Sequence, residues 1–224
     1  GMALYIPGFE DGQRPPIEVN GYAYPNITAA MFNATLPYLT FLCPFSHSMT
    51  AEGELRPIND GRLVSAAYAA SAAPLLTVTN LSESSGFSSD IAHAVFTDEQ
   101  VQNRVFDNIL STLREKKYYG INFNIEYVYP FDREGYNAFI RRAAEVFHPL
   151  GYYLTSAIAP KDSDRQSGLL YEAHDYAAHG LYMDRVIIMT YEWGYTYGAP
   201  QAVSPVDRMR AVLEYAVTKI PAGK

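Results

Sequence analysis

The sequence of 224 residues is poor in the side chains that build disulfides and metal sites. Cys43 is the only cysteine, which excludes a disulfide within the chain and a thiolate metal cluster. The five histidines show no spacing typical of metal ligands. No glycine-rich phosphate loop follows any predicted strand, which argues against nucleotide binding. We therefore predict a protein that uses no metal and no cofactor.

Positive charge is also scarce. Lys and Arg total 17 against 24 Asp and Glu, so the formal net charge is -7, and no basic cluster is present. Such a chain lacks the electrostatic footprint of a nucleic-acid-binding protein. No apolar run is long enough to span a membrane. With 48% hydrophobic residues, the composition is typical of a globular domain with its own core.

The chain divides into a short arm and one domain. Residues 1–16 are rich in glycine and proline and predict a linker or arm, whereas residues 17–224 predict the domain. Apolar runs of strand length alternate with helical patterns six times. The predicted strands cover residues 17–24, 38–45, 74–80, 120–128, 152–159 and 185–191. The predicted helices cover 28–36, 61–70, 101–113 and 207–218, with others beginning at Asp90, Asp132 and Tyr171.

This alternation predicts an α/β protein with a parallel sheet covered by helices. Two folds compete, an open doubly wound sheet and a (β/α)8 TIM barrel. A polar stripe at the C-terminal end of one strand favours the barrel, because barrel active sites lie at that end. A complete barrel takes about 250 residues, so we expect a barrel truncated after about six units. Its unpaired edges predict an open, distorted sheet or self-association.

The polar stripe lies in the run from Gly120 to Glu126. Ile121, Phe123 and Ile125 alternate there with Asn122, Asn124 and Glu126. Successive side chains of a strand point to opposite faces, so the three polar groups share one face. A buried polar face is costly unless its groups find partners or line a site. The stripe therefore predicts a site whose last residue is a carboxylate.

Four segments resemble one known family. Residues 119–126 resemble the fourth-strand motif D-G-x-D-x-D-x-E of the family 18 glycoside hydrolases. Residues 21–25, 87–89 and 189–195 resemble the first strand, the loop after the third strand and the sixth-strand motif of the spore-germination branch. That branch contains peptidoglycan N-acetylglucosaminidases that often carry LysM domains. The resemblance runs through nearly the whole chain from Ile17 onward.

The resemblance implies retaining hydrolysis of β-linked N-acetylglucosamine, in which the acetamido oxygen of the substrate attacks the anomeric carbon. It gives Glu126 the role of acid and then base. Asn124 would hold the acetamido N–H, and Tyr191 would hydrogen-bond the same group.

The resemblance also implies substrate-binding roles for four further residues and a place of action. The substrate-binding residues would be Tyr22, Asn122, Glu192 and Trp193. The partner would be peptidoglycan or an N-acetylglucosamine oligosaccharide. The place of action would be extracellular, at the cell envelope or the spore cortex of a bacterium.

The sequence departs from the family motif at its aspartates, which are replaced by Tyr119, Asn122 and Asn124. Loss of one preorganised charge near a transition state costs about 3 kcal/mol. An amide at position 124 can also donate to ionised Glu126, which predicts a lowered pKa for that carboxyl. The alternative function is therefore a glycan-binding barrel, similar to the chitinase-like lectins, that does not cleave its ligand.

Overall fold

The computed structural model describes residues 17–84, 86–194 and 199–224, so the predicted arm at residues 1–16 lies outside the described residues. The strands are β1 (Asn20–Ala23), β2 (Phe41–Pro44), β3 (His47–Met49), β4 (Leu55–Arg56), β5 (Ala73–Thr79), β6 (Gly120–Asn124), β7 (Tyr153–Ile158) and β8 (Arg185–Ile188). The helices are α1 (Ala29–Thr35), α2 (Gly61–Ala69), α3 (Ser89–Thr97), α4 (Glu99–Lys116), α5 (Arg133–Phe147), α6 (Tyr176–Tyr182) and α7 (Val206–Ala216). None of the described helices is long and apolar enough to cross a bilayer.

Six of the strands form one parallel sheet in the order β1-β2-β5-β6-β7-β8. This arrangement confirms the predicted α/β fold of the (β/α)8 barrel type with six βα units. The sheet departs from strict alternation at β3 and β4, which form a short antiparallel pair beside β5. No sequence pattern predicted this pair, because strands of three and two residues are too short to show a period of two.

The alternation predicted for β6 is present. Ile121, Phe123 and Ile125 are fully buried in the core between the sheet and its helices, where the Phe123 ring meets Phe139 of α5 at 5.4 Å between centroids. Gly120 opens the strand because a Cβ there would lie 2.0 Å from the carbonyl oxygen of Tyr153. The glycine of the motif is therefore required for the close approach of β6 and β7.

A helix begins next to Asp132, as predicted, but the Asp132 side chain does not cap it. Asp132 occupies the N-cap position but makes no capping bond from its side chain. Both of its carboxylate oxygens instead lie 2.9 Å from Nδ1 of His93 in α3. A capping bond and this contact compete for the same oxygens, and the tertiary partner wins. The helix predicted from Tyr171 begins only at Tyr176, where the Asp175 side chain accepts from two backbone N–H groups.

The described sheet is open, with β1 and β8 as its edges, as predicted. The starts of the two edge strands are joined by a two-point ion pair between Glu18 and Arg185, with N–O distances of 2.6 and 2.9 Å. The carbonyl of Lys224 accepts from the N–H of Val186 on β8 at 3.1 Å. Self-association through the edges stays a prediction.

A buried carboxylate joins α2 to α4 and to the start of β6. Asp60 is 1% exposed and receives bonds from Lys116 at 2.6 Å and from the Tyr118 hydroxyl at 2.5 Å, and Nε2 of His47 lies 2.7 Å away. Burial acts to raise the pKa of Asp60, but the hydrogen bonds from His47, Lys116 and Tyr118 outweigh it and hold that pKa below its usual range. The carboxylate therefore links α2, α4 and the segment before β6 through buried hydrogen bonds.

Candidate active site

A cleft of about 630 Å³ opens at the C-terminal ends of the parallel strands. Ligands bind at this end of α/β sheets because the loops that follow the strands converge there. The cleft brings together six of the seven predicted site residues. Its lining includes Tyr22, Asn124, Glu126, Tyr191, Glu192 and Trp193.

Glu126 lies just beyond the end of β6 and is half-buried. Burial, followed by the negative charge of Glu192, raises the pKa of Glu126 to about 7. The expectation of a lowered pKa from the amide at position 124 is therefore wrong. The carboxyl group can hold a proton near neutral pH, as a general acid requires.

Asn124 is the last residue of β6 and is 6% exposed. Its side-chain carbonyl oxygen is buried and has no hydrogen-bond partner among the described residues. A buried acceptor without a partner costs about 1–3 kcal/mol. The residue also lines the cleft.

Asn122 lies beneath the cleft and does not line it. The residue is fully buried, its carbonyl accepts from the Tyr22 hydroxyl at 3.0 Å, and its amide donates to Oγ1 of Thr155 at 2.7 Å. Both ends of the side chain are therefore occupied within the protein. The side chain of Asn122 therefore supports Tyr22 in the cleft wall, and its contact with substrate stays a prediction.

Three predicted site residues, Tyr191, Glu192 and Trp193, occupy consecutive positions shortly after β8. Tyr191 is 44% exposed, and burial raises its pKa, with smaller contributions from the charges of Glu126 and Glu192. Glu192 has a φ of 61°, a left-handed conformation that few non-glycine residues adopt. Trp193 is half-buried, and its backbone N–H donates to the carbonyl of Val203 at 3.3 Å.

Aromatic residues from loops widely separated in the sequence complete the cleft. Phe45 meets Tyr22 and Tyr24 edge to face at 6.1 and 5.6 Å between centroids. Phe87 lies 6.4 Å from Tyr127, which has a left-handed φ of 54°. Phe45 and Tyr127 were not predicted as site residues, because no local sequence pattern separates a loop aromatic in a cleft from one in the core.

Known proteins share this fold and much of this sequence. The chain is 41% identical over 215 residues to the cortical fragment-lytic enzyme of Bacillus subtilis (strain 168). The aligned region covers 93% of this chain and 49% of that protein. The crystal structure of the Bacillus cereus spore cortex-lytic enzyme SleL superposes with a TM-score of 0.86 at 36% identity, over 92% of this chain and 48% of that one.

A more distant structure supports the fold alone. A chitinase from Chromobacterium violaceum ATCC 12472 superposes with a TM-score of 0.83 at 24% identity, over 92% of this chain and 66% of that one.

The chain spans about half the length of the curated relatives it matches. Residues 75–217 match the family described as glycosyl hydrolases family 18. The resemblance of the four segments is thereby confirmed, and the chain belongs to the glycosyl hydrolases family 18.

Proposed function

We propose that the chain is the catalytic part of a glycosidase that cleaves β-linked N-acetylglucosamine in peptidoglycan, acting outside the cell at the envelope or spore cortex. The observation that carries the proposal is Glu126, a carboxyl group with a pKa raised to about 7 at the mouth of a cleft lined by aromatic residues. The names of the relatives, cortical fragment-lytic and spore cortex-lytic enzymes, support this substrate class.

The reaction proceeds in two steps with one enzyme carboxyl group. In the first, protonated Glu126 gives its proton to the leaving glycosidic oxygen while the acetamido oxygen of the substrate bonds to the anomeric carbon. In the second, ionised Glu126 takes a proton from water as that water attacks the anomeric carbon and breaks its bond to the acetamido oxygen. The carboxyl group ends protonated again, and the configuration of the anomeric carbon is retained.

Asn124 and Tyr191 orient the acetamido group in this mechanism. The unpartnered carbonyl of Asn124 accepts the acetamido N–H, and the Tyr191 hydroxyl hydrogen-bonds the same group. Tyr22, Glu192 and Trp193 contact the sugars on either side. Aromatic faces suit sugar rings because they combine apolar area with defined geometry.

The direct test is mass spectrometry of products from N-acetylglucosamine oligomers and purified peptidoglycan. The assay is run with this chain and with a version extended to the length of its curated relatives. New reducing ends at N-acetylglucosamine support the proposal, and their sizes separate exo from endo cleavage. Intact substrate at high enzyme concentration, with binding still measurable, would contradict it in favour of a glycan-binding barrel, the function that Asn122 and Asn124 favour as second candidate.

Activity is expected to fall as the pH rises above about 7, because Glu126 must be protonated to act as an acid and its pKa is about 7. An ordinary glutamic acid would lose its proton near pH 4.5. The limb on which activity falls with rising pH, the upper limb, therefore lies at higher pH in this protein. The measurement is kcat/KM against pH. In Glu192→Gln the upper limb should move to lower pH, because a like charge near Glu126 is removed. A limb near pH 5 in the unsubstituted protein would contradict the assignment.

Substitutions of Asn124 test whether its side chain takes part in the reaction. In Asn124→Ala the acetamido acceptor is lost, and kcat should fall by about a hundredfold. In Asn124→Asp an acceptor is kept and a negative charge is added beside the developing positive charge, so kcat should rise. The measurement is steady-state hydrolysis of N-acetylglucosamine oligomers. Equal activity of Asn124→Ala and the unsubstituted protein would remove position 124 from the mechanism.

A further inference from the structure

The backbone of Glu126 lies outside the strand ladder of the sheet. The β5–β6 pairing ends where Thr79 stands opposite Asn124, so the next residues of the two strands have no ladder contact. The residue after Glu126, Tyr127, has a left-handed φ of 54° and turns the chain away. A residue in such a place needs another support if its side chain is to keep one direction.

The side chain of Asn80, the residue that follows β5, supplies that support. Its carbonyl oxygen accepts from the N–H of Glu126 at 3.1 Å, and its amide donates to the carbonyl of Glu126 at 2.8 Å. An asparagine side chain presents the same donor and acceptor as a peptide group. Asn80 therefore continues the β5–β6 ladder by one step through its side chain.

Asn80 is itself fixed from a second direction. Its amide also donates to the carbonyl of Ser88 at 2.9 Å, and the N–H of Ser88 donates to the carbonyl of Asn80 at 2.9 Å. Ser88 caps α3, where its hydroxyl accepts from the N–H of Ile91. Asn80 is fully buried. The two bonds from the Asn80 side chain to the Glu126 backbone form a clamp, and this clamp is anchored to the start of α3.

We propose that Asn80 is the positioning residue of the reaction, setting the direction of the Glu126 carboxyl group by clamping both polar groups of its backbone. The proposal rests on the function proposed above. Two bonds to one residue restrain its orientation as well as its position, which one bond cannot do. Small displacements matter because misplacement of a catalytic group by about 1 Å can cost a hundredfold in rate. Ala supplies neither group of the amide, and Asp supplies only the acceptor.

The kinetic test compares Asn80→Ala with Asn108→Ala. Asn108 is a matched control on α4, where its half-buried amide donates to the carbonyl of Gly53 at 3.0 Å outside the cleft. In Asn80→Ala, kcat should fall by about tenfold to a hundredfold with KM within about twofold, because the cleft that binds the sugar is retained. Asn108→Ala should keep both constants. Equal kcat values in Asn80→Ala and the unsubstituted protein would overturn the proposal.

A second readout does not require turnover. Carbon-13 NMR titration of the Glu126 carboxyl group should give a pKa of about 7 in the unsubstituted protein. In Asn80→Ala the released carboxyl group reaches water, and its pKa should fall by about one unit or more. An unchanged pKa would contradict the clamp. If the unsubstituted protein shows no hydrolysis but Asn80→Ala shifts the pKa, the proposed function fails and the positioning role stands.

The outcome stays decisive if Asn80→Ala does not fold. Asn80→Asp preserves the volume and the acceptor for the N–H of Glu126, but it cannot donate to the carbonyls of Ser88 and Glu126. Thermal unfolding is measured first, and folded Asn80→Asp should show the same loss of kcat at constant KM. A parallel loss of kcat and stability in Asn80→Asp and Asn108→Ala would assign Asn80 a structural role only.

Discussion

Replacement of Glu126 by Gln is expected to lower kcat by about a thousandfold or more while substrate affinity changes little. Positioned proton transfer contributes about a hundredfold to ten-thousandfold in each step, and Glu126 acts in both steps of the proposed reaction. Gln has the shape of protonated Glu, so it fills the same space and makes similar contacts with the leaving oxygen. It cannot release a proton, and the expected loss is therefore in turnover.

The experiment measures turnover and binding separately. Hydrolysis of N-acetylglucosamine oligomers gives kcat, and calorimetric titration with an oligomer gives the dissociation constant of Glu126→Gln. The control is Glu134→Gln, because Glu134 is an exposed carboxylate in the first turn of α5. We expect full activity in that control. If Glu126→Gln retained more than about a tenth of the activity, proton transfer by Glu126 would be excluded.

Replacement of Asp60 by Asn is expected to lower the free energy of unfolding by about 3 kcal/mol at pH 7. The substitution removes one charge of a buried ion pair and leaves the other without its partner. The carboxylate lies within 2.7 Å of side-chain atoms of His47, Lys116 and Tyr118. An amide in its place has one acceptor oxygen instead of two and brings N–H groups towards the other donors. Lys116 then loses its counter-charge at a site that is 22% exposed.

The effect has a defined pH dependence. The pKa of Asp60 is held below its usual range in the folded state, so its contribution is present above the unfolded pKa of about 3.9 and is lost as the pH falls towards the folded pKa. Urea unfolding from pH 7 downward measures this. The difference between Asp60→Asn and the unsubstituted protein should persist at pH 4 and shrink only below it.

The matched control for this site is Asp107→Asn. Asp107 is exposed on α4, and substitution there should change the stability by less than about 0.5 kcal/mol. Equal stability of Asp60→Asn and Asp107→Asn at pH 7 would show that the buried contacts of Asp60 contribute nothing net.

The sequence was a good guide where a feature is local and repeated. The apolar runs predicted all six parallel strands, and the alternation along β6 placed Asn122 and Asn124 on the face opposite Phe123. It was a poor guide to side chains whose partners lie far along the chain. Asp60 and Asp132 stand where helices begin, yet their carboxylates contact His47 and His93 rather than the helix ends.

The sequence by itself determined the order of βα units and the polar stripe that ends in Glu126, because both follow from the period of side chains along a strand or a helix. Only the tertiary structure raised the pKa of Glu126, through burial and through Glu192, a residue 66 positions later in the chain. Only the tertiary structure brought Asn80 against the Glu126 backbone. Charge and orientation at a site depend on distance in space, which the order of residues does not contain.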